Sequence, residues 1–191
     1  MNELERQKKV IDMMITAHSV LRDRYNATSS FFEILLLIAS IILNALLFVD
    51  AKFIEKFTHL NDDEQKLIIG LSGLIVFIIS IVMLQVSWRE KATQHSIAAD
   101  NLFSLKQECR NIIRSITQIS SPEATILVED FNRKYNRVLN DHVKIPDRKF
   151  NSLKLIHYRK VELSKLIDQH PNSRLWLLKI KLFYLSIKGI V

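Results

Sequence analysis

The chain has 191 residues, 48% apolar and 25% charged, with 27 Lys and Arg against 20 Asp and Glu for a net charge of +7. Three Gly and three Pro are too few for the turns of an all-β fold or the phosphate loops of a Rossmann or P-loop site. The apolar residues are concentrated: the 19 residues Phe31 to Val49 carry one charge, Glu33, and the 20 residues Leu67 to Val86 carry none, which excludes a simple soluble enzyme. About 20 such residues at 1.5 Å each cross about 30 Å of hydrocarbon. The expected fold class is all-α, a two-helix transmembrane hairpin continuous with a cytosolic helical bundle.

Residues 1–30 read as a cytosolic leader helix, because Leu4, Ile11, Met14, His18, Leu21 and Tyr25 fall in steps of three, four or seven along one face. Asn26, Thr28, Ser29 and Ser30 then predict a polar break or cap before the first span. Some 30 polar and charged residues precede that span and no small-residue cleavage site follows it, so it is expected to stay in the membrane rather than be removed as a signal peptide.

Residues 31–87 are the expected hairpin, with a short external loop at 50–66. Of the 27 Lys and Arg, 5 precede the first apolar run, 3 fall between the runs and 19 follow the second. The loop holds Asp50, Glu55, Asp62, Asp63 and Glu64. By the positive-inside rule both termini are expected in the cytoplasm, so the basic balance reads mainly as a topology signal. In the first span Glu33, Leu37, Ser40 and Asn44 are spaced 4, 3 and 4 and put three polar groups on one face. That face should turn to protein or water. In the second, Gly70, Gly73, Ser80 and Ser87 permit close helix contact. Two accounts stay open: a polar seam that joins helices or subunits, or a water-lined pore with Ser40 and Asn44 on its wall and Glu33 near its cytoplasmic mouth. Two helices cannot enclose water, so the pore requires a homo-oligomer.

Trp88, Arg89 and Lys91 mark the cytoplasmic interface. From there Trp88, His95, Leu102, Cys109 and Ile116 recur every seven residues, with Ala98, Leu105, Ile112 and Ile119 three residues on. No Gly or Pro interrupts Ser87 to Ser121, so the second membrane helix is expected to run straight into a coiled-coil-like helix that ends at Ser120, Ser121, Pro122 and Glu123. A helix from about Pro122 to Asn140 should bury Leu127, Phe131, Tyr135 and Val138; another follows from about Lys149 to Asp168, completing a bundle over residues 88–170. The last segment, 171–191, reads as an amphipathic helix carrying Trp176 and dispersed lysines. It is too short and charged to span. It either lies on the cytoplasmic leaflet or packs on the bundle or a second subunit.

The six histidines, His18, His59, His95, His142, His157 and His170, show no local metal-ligand spacing, and Cys109 is the sole cysteine, which forbids an internal disulfide. No metal site, catalytic group or cofactor is expected. Basic residues without interleaved exposed aromatics give no nucleic-acid surface. His18 and His95 lie on the seams of two helices that flank the membrane, where they can meet as a satisfied buried pair or as a pH-sensitive one.

The order of parts, with the segment Trp88 to Ala99 (WREKATQHSIAA) opening the long helix and Asn136 to Pro146 (NRVLNDHVKIP) forming the loop between cytosolic helices, resembles the SLATT family. Members are two-transmembrane effectors associated with SMODS nucleotidyltransferases and SLOG sensors in bacterial conflict systems. The likeness covers about residues 5 to 165. It implies pore formation in the bacterial inner membrane, triggered by a nucleotide second messenger or a sensor protein, and it carries over no catalytic residue. The competing expectation is a non-conducting membrane anchor or regulatory subunit that recruits a partner through its cytosolic helices.

Overall fold

The structure, a computed structural model, describes residues 3–48, 61–116 and 121–187. They form α1 (Glu3–Phe48), α2 (Asp62–Val86), α3 (Trp88–Ser115), α4 (Ser121–Asp141), α5 (Asp147–Gln169) and α6 (Leu175–Ile187). No strand occurs among the described residues, and the all-α expectation holds. Most of the expected external loop, together with His59, Ile119, Ser120 and the last four residues, lies outside the described residues. The chain divides into two compact units, Met1–Leu21 with Gln94–Val191, and Arg22–Thr93. The expected boundaries at 30 and 87 both fall inside the second.

The first unit is a helical bundle. Leu4 and Ile11 of α1, Leu102, Leu105, Cys109 and Ile112 of α3 and Phe131 of α4 form one buried cluster, flanked by Met14, Ile116, Tyr135 and Val138. Each fully buried Leu, Ile or Phe stabilises by about 1.5–3 kcal/mol. The seven-residue recurrence on α3 is thus a core stripe from His95 to Ile112, with Ile116 partly buried at its end. Polar links reinforce it: Gln7 Nε2 donates to Asn132 Oδ1 at 2.9 Å, and Lys106 pairs with Asp12 at 2.5 Å. Thr16 Oγ1 lies 3.0 Å from His157 Nδ1, which ties α5 to α1. The helix ends follow the sequence: α5 starts after Pro146, whose carbonyl accepts from Lys149 N–H at 2.8 Å, and stops at His170 before Pro171.

The second unit contains the two apolar helical stretches. Each is long and apolar enough to cross a membrane, and almost none of either is buried. Half-buried positions on α1 (Phe32, Leu36, Ala39, Ser40, Leu43, Leu46) and on α2 (Ile69, Ser72, Gly73, Val76, Ile79, Ser80, Met83) recur at three and four residues, the spacing of a helix-pair seam. At its start, the Glu64 carboxylate accepts from Asn61 N–H at 3.0 Å and caps α2.

Two expectations are corrected. No break separates leader and first span; α1 is continuous through residues 26–30. The hydroxyls there are satisfied within the helix, Thr28 Oγ1 donating to Arg24 O at 2.9 Å and Ser29 Oγ to Glu33 Oε1 at 2.8 Å, so they do not compete for its backbone. Conversely, α2 does not run straight into α3. Ser87 adopts a left-handed conformation (φ 49°, ψ 48°) and caps α2, its N–H reaching Met83 O at 3.3 Å and its Oγ donating to Leu84 O at 3.0 Å. A serine does this without a glycine, because its hydroxyl takes up a carbonyl that the last turn leaves open.

Candidate functional site

The polar stripe of α1 is not covered by α2. Glu33, Leu37 and Asn44 are exposed, Leu37 to 62%, and only Ser40 is half-buried at the edge of the seam. Asn44 Nδ2 donates to Ser40 O at 2.8 Å. On α2, Ser80 Oγ donates to Val76 O at 2.9 Å. A Cβ added at Gly70 or Gly73 would meet no atom within 4 Å, so the close approach expected of these glycines is not made within one chain. Gly73 is half-buried in line with Ser72 and Val76 on the seam, while Gly70 is exposed.

At the Ser87 cap the stripe ends in a cleft of about 450 Å³ lined by Ser29, Glu33, Leu36, Ser80, Met83, Trp88 and Arg89. Ser29 Oγ holds one Glu33 carboxylate oxygen, while Arg89 Nη2 stands 4.0 Å from the other. Phe32 stacks on Trp88 with ring centroids 5.0 Å apart and planes 16° from parallel. Trp88 therefore leaves the buried α3 stripe on which its heptad position placed it, because the Ser87 turn aims its ring at Phe32. The sequence carried this signal in two aromatic-charged pairs, Phe32-Glu33 and Trp88-Arg89, which meet as units. The ion pair is solvent-exposed and worth less than about 1 kcal/mol.

In the bundle unit His18 and His95 meet as expected. Their Nδ1 atoms lie 2.9 Å apart in a buried contact, with ring centroids 5.1 Å apart. One Nδ1 donates and the other accepts, so the two rings share a single proton at that contact. His18 is 1% exposed, and burial, with the adjacent His95 and His142, pushes its pKa down to about 4. Burial also lowers His95, helped by nearby Lys149. His142 is a third ring, edge-on to His18 at 6.4 Å, and its buried Nε2 has no hydrogen-bond partner. Burial lowers it against the opposing pull of Asp141. His142 was not singled out beside the pair, although it sits in the loop segment ending at Pro146. Cys109 is buried, its Sγ 3.6 Å from Leu4 O, and burial raises its pKa, so it is a core residue with an inert thiol.

Among the described residues no group of three or more His, Cys, Asp or Glu is arranged to hold a metal ion. Comparison with family models, with curated proteins and with solved structures finds no match.

Proposed function

We propose that this chain is a membrane-embedded, homo-oligomeric pore-forming effector of a bacterial antiphage or conflict system, as its resemblance to the SLATT family implies. In this reading α1 and α2 span the inner membrane with both termini cytoplasmic, in line with the placement of 24 of the 27 basic residues outside the segment between the runs. The observation that carries the pore is the stripe of exposed Glu33 and Asn44 with half-buried Ser40 between them, in a stretch of α1 whose other exposed side chains are apolar. Polar groups facing lipid are costly, so several copies bring their stripes together around water. Glu33, beside Arg89, sets the charge at the cytoplasmic mouth. A nucleotide second messenger or a sensor protein acts on the cytosolic helices to open the pore, and the outcome is depolarisation of the inner membrane.

Substituted-cysteine accessibility tests this reading in a Cys109→Ala background. A membrane-impermeant cationic thiol reagent should modify Ser40→Cys and Asn44→Cys in the assembled protein and spare Ile38→Cys and Ile42→Cys. Equal protection of all four positions would remove the water-lined wall.

A second reading, a non-conducting anchor or regulatory subunit, is favoured by Asn44 and Ser80, each of which donates to a backbone carbonyl of its own helix. It predicts no ion passage and retention of a partner by the bundle.

A further inference from the structure

The α6 helix holds to the bundle by a narrow stripe. Leu178 and Leu182, one turn apart, are its buried residues, and they face α5. At about 100° per residue, Phe183, Trp176, Ile180, Tyr184 and Leu177 fall side by side on the opposite face. All five are exposed, Trp176 to 56% and Phe183 to 63%. Lys179 borders this face on the Phe183 side and Lys181 on the Leu177 side, each about 40° away. No Asp or Glu occurs between Gln169 and Val191. On the Lys179 side the border continues into a cleft of about 780 Å³ between α5 and α6, lined by Arg159 and Lys160, by Leu155, Tyr158 and Leu182, and by Glu162, whose carboxylate is paired with Lys165 at 2.7 Å.

We infer that α6 lies in the plane of an anionic lipid leaflet, with its aromatic face among the acyl chains and its lysines at the phosphates. Trp and Tyr combine an apolar body with a polar tip suited to the headgroup level, and lysines on both borders can extend to it along their own methylenes, Lys181 by leaving its 3.0 Å contact with His170 Nε2. The cleft beside Lys179 adds Arg159 and Lys160 for a further headgroup phosphate. A second copy of the chain is the poorer occupant: apposed α6 faces would bring lysine borders against lysine borders with no acidic residue on the helix to answer them. The inference rests on the membrane-spanning reading, which tethers α6 to a bilayer.

The test uses the full chain with Trp88→Phe, which keeps an aromatic ring for Phe32 and leaves Trp176 as the one tryptophan. The protein is reconstituted in nanodiscs of phosphatidylglycerol or phosphatidylcholine, with insertion scored separately by co-purification. In phosphatidylglycerol discs, bromination of the acyl chains should quench Trp176 fluorescence at least twofold, with acrylamide access lost. In phosphatidylcholine discs, or after Lys179→Glu and Lys181→Glu, the bromolipid quenching should fall by more than half. Trp176 that stays open to acrylamide in an inserted chain overturns the inference, as does protection from acrylamide without bromolipid quenching, the signature of a protein contact. A chain that never enters the discs overturns the spanning reading, and this inference with it.

Discussion

Acidification should weaken the bundle through its buried histidines, and the size of the effect follows from His18. A free imidazole titrates near 6.5, whereas the His18 pKa is pushed down to about 4. Above pH 6.5 neither folded nor unfolded chain is protonated there and the group contributes nothing. Between 6.5 and 4 the unfolded chain takes up a proton that the folded one refuses, so stability falls with falling pH. The loss amounts to about 2 kcal/mol by pH 5.0 and about 3 kcal/mol once the pH passes 4. His95 and His142, lowered in the same direction, add to it. Against a total of about 5–15 kcal/mol this is large, and 2 kcal/mol corresponds to a fall in melting temperature of about 4–8 °C for a chain of this size. The assay is helical circular dichroism of detergent-purified protein melted at pH 7.5 and pH 5.0. The double variant His18→Leu with His95→Leu removes the contacting pair without leaving one ring unpaired, and should lose most of the pH dependence, keeping only what His142 and His157, also lowered by burial, contribute. A wild-type melting temperature equal at the two pH values, or a double variant as acid-sensitive as the wild type, would refute the argument.

Other outcomes follow from the same packing. Phe131→Ala empties a fully buried site shared by α1, α3 and α4 and should cost about 3–5 kcal/mol, read by the same melts. The pair Leu102→Asp with Ile116→Asp places a carboxylate in the α3 core stripe and should unfold or dissociate the protein, checked by mass in detergent; an unchanged mass and melting curve would count against the stripe. Cys109 should react with a thiol reagent only after unfolding, so its modification rate should track the melt rather than the reagent concentration. Ser87→Val puts a β-branched side chain into the left-handed region and removes the bond to Leu84 O, and should lower stability by about 1–3 kcal/mol.

Periodicity carried the bundle in the sequence. Steps of three, four and seven picked out Leu4, Ile11, His18 and Leu21 on α1, and a seven-residue recurrence picked out His95, Leu102 and Cys109 on α3, because a stripe that must face a partner helix leaves a regular trace whatever the partner is. The His18 and His95 contact was legible for the same reason. What was misread were the joints. A polar cluster at residues 26–30 looks like a cap, yet hydroxyls bonded to the preceding turn or to Glu33 leave a helix intact. A single serine at 87 looks like ordinary helix, yet local hydrogen bonds let it turn the chain. The polar stripe was legible as a stripe, but which side of the hairpin it takes depends on the α2 seam, and that relation is set by two helices together.

The central claim is that copies of this chain enclose water along the α1 stripe. Its most direct test is single-channel conductance of the purified oligomer in planar bilayers, with and without a panel of nucleotide second messengers, comparing wild type with Ser40→Leu and Asn44→Leu combined. Wild type should pass ions, and the variant, still oligomeric by mass, should lose most of the conductance because an apolar constriction dewets. Glu33→Gln should retain conductance with weaker cation preference. A correctly assembled wild-type oligomer that passes no ions in any of these conditions would contradict the account.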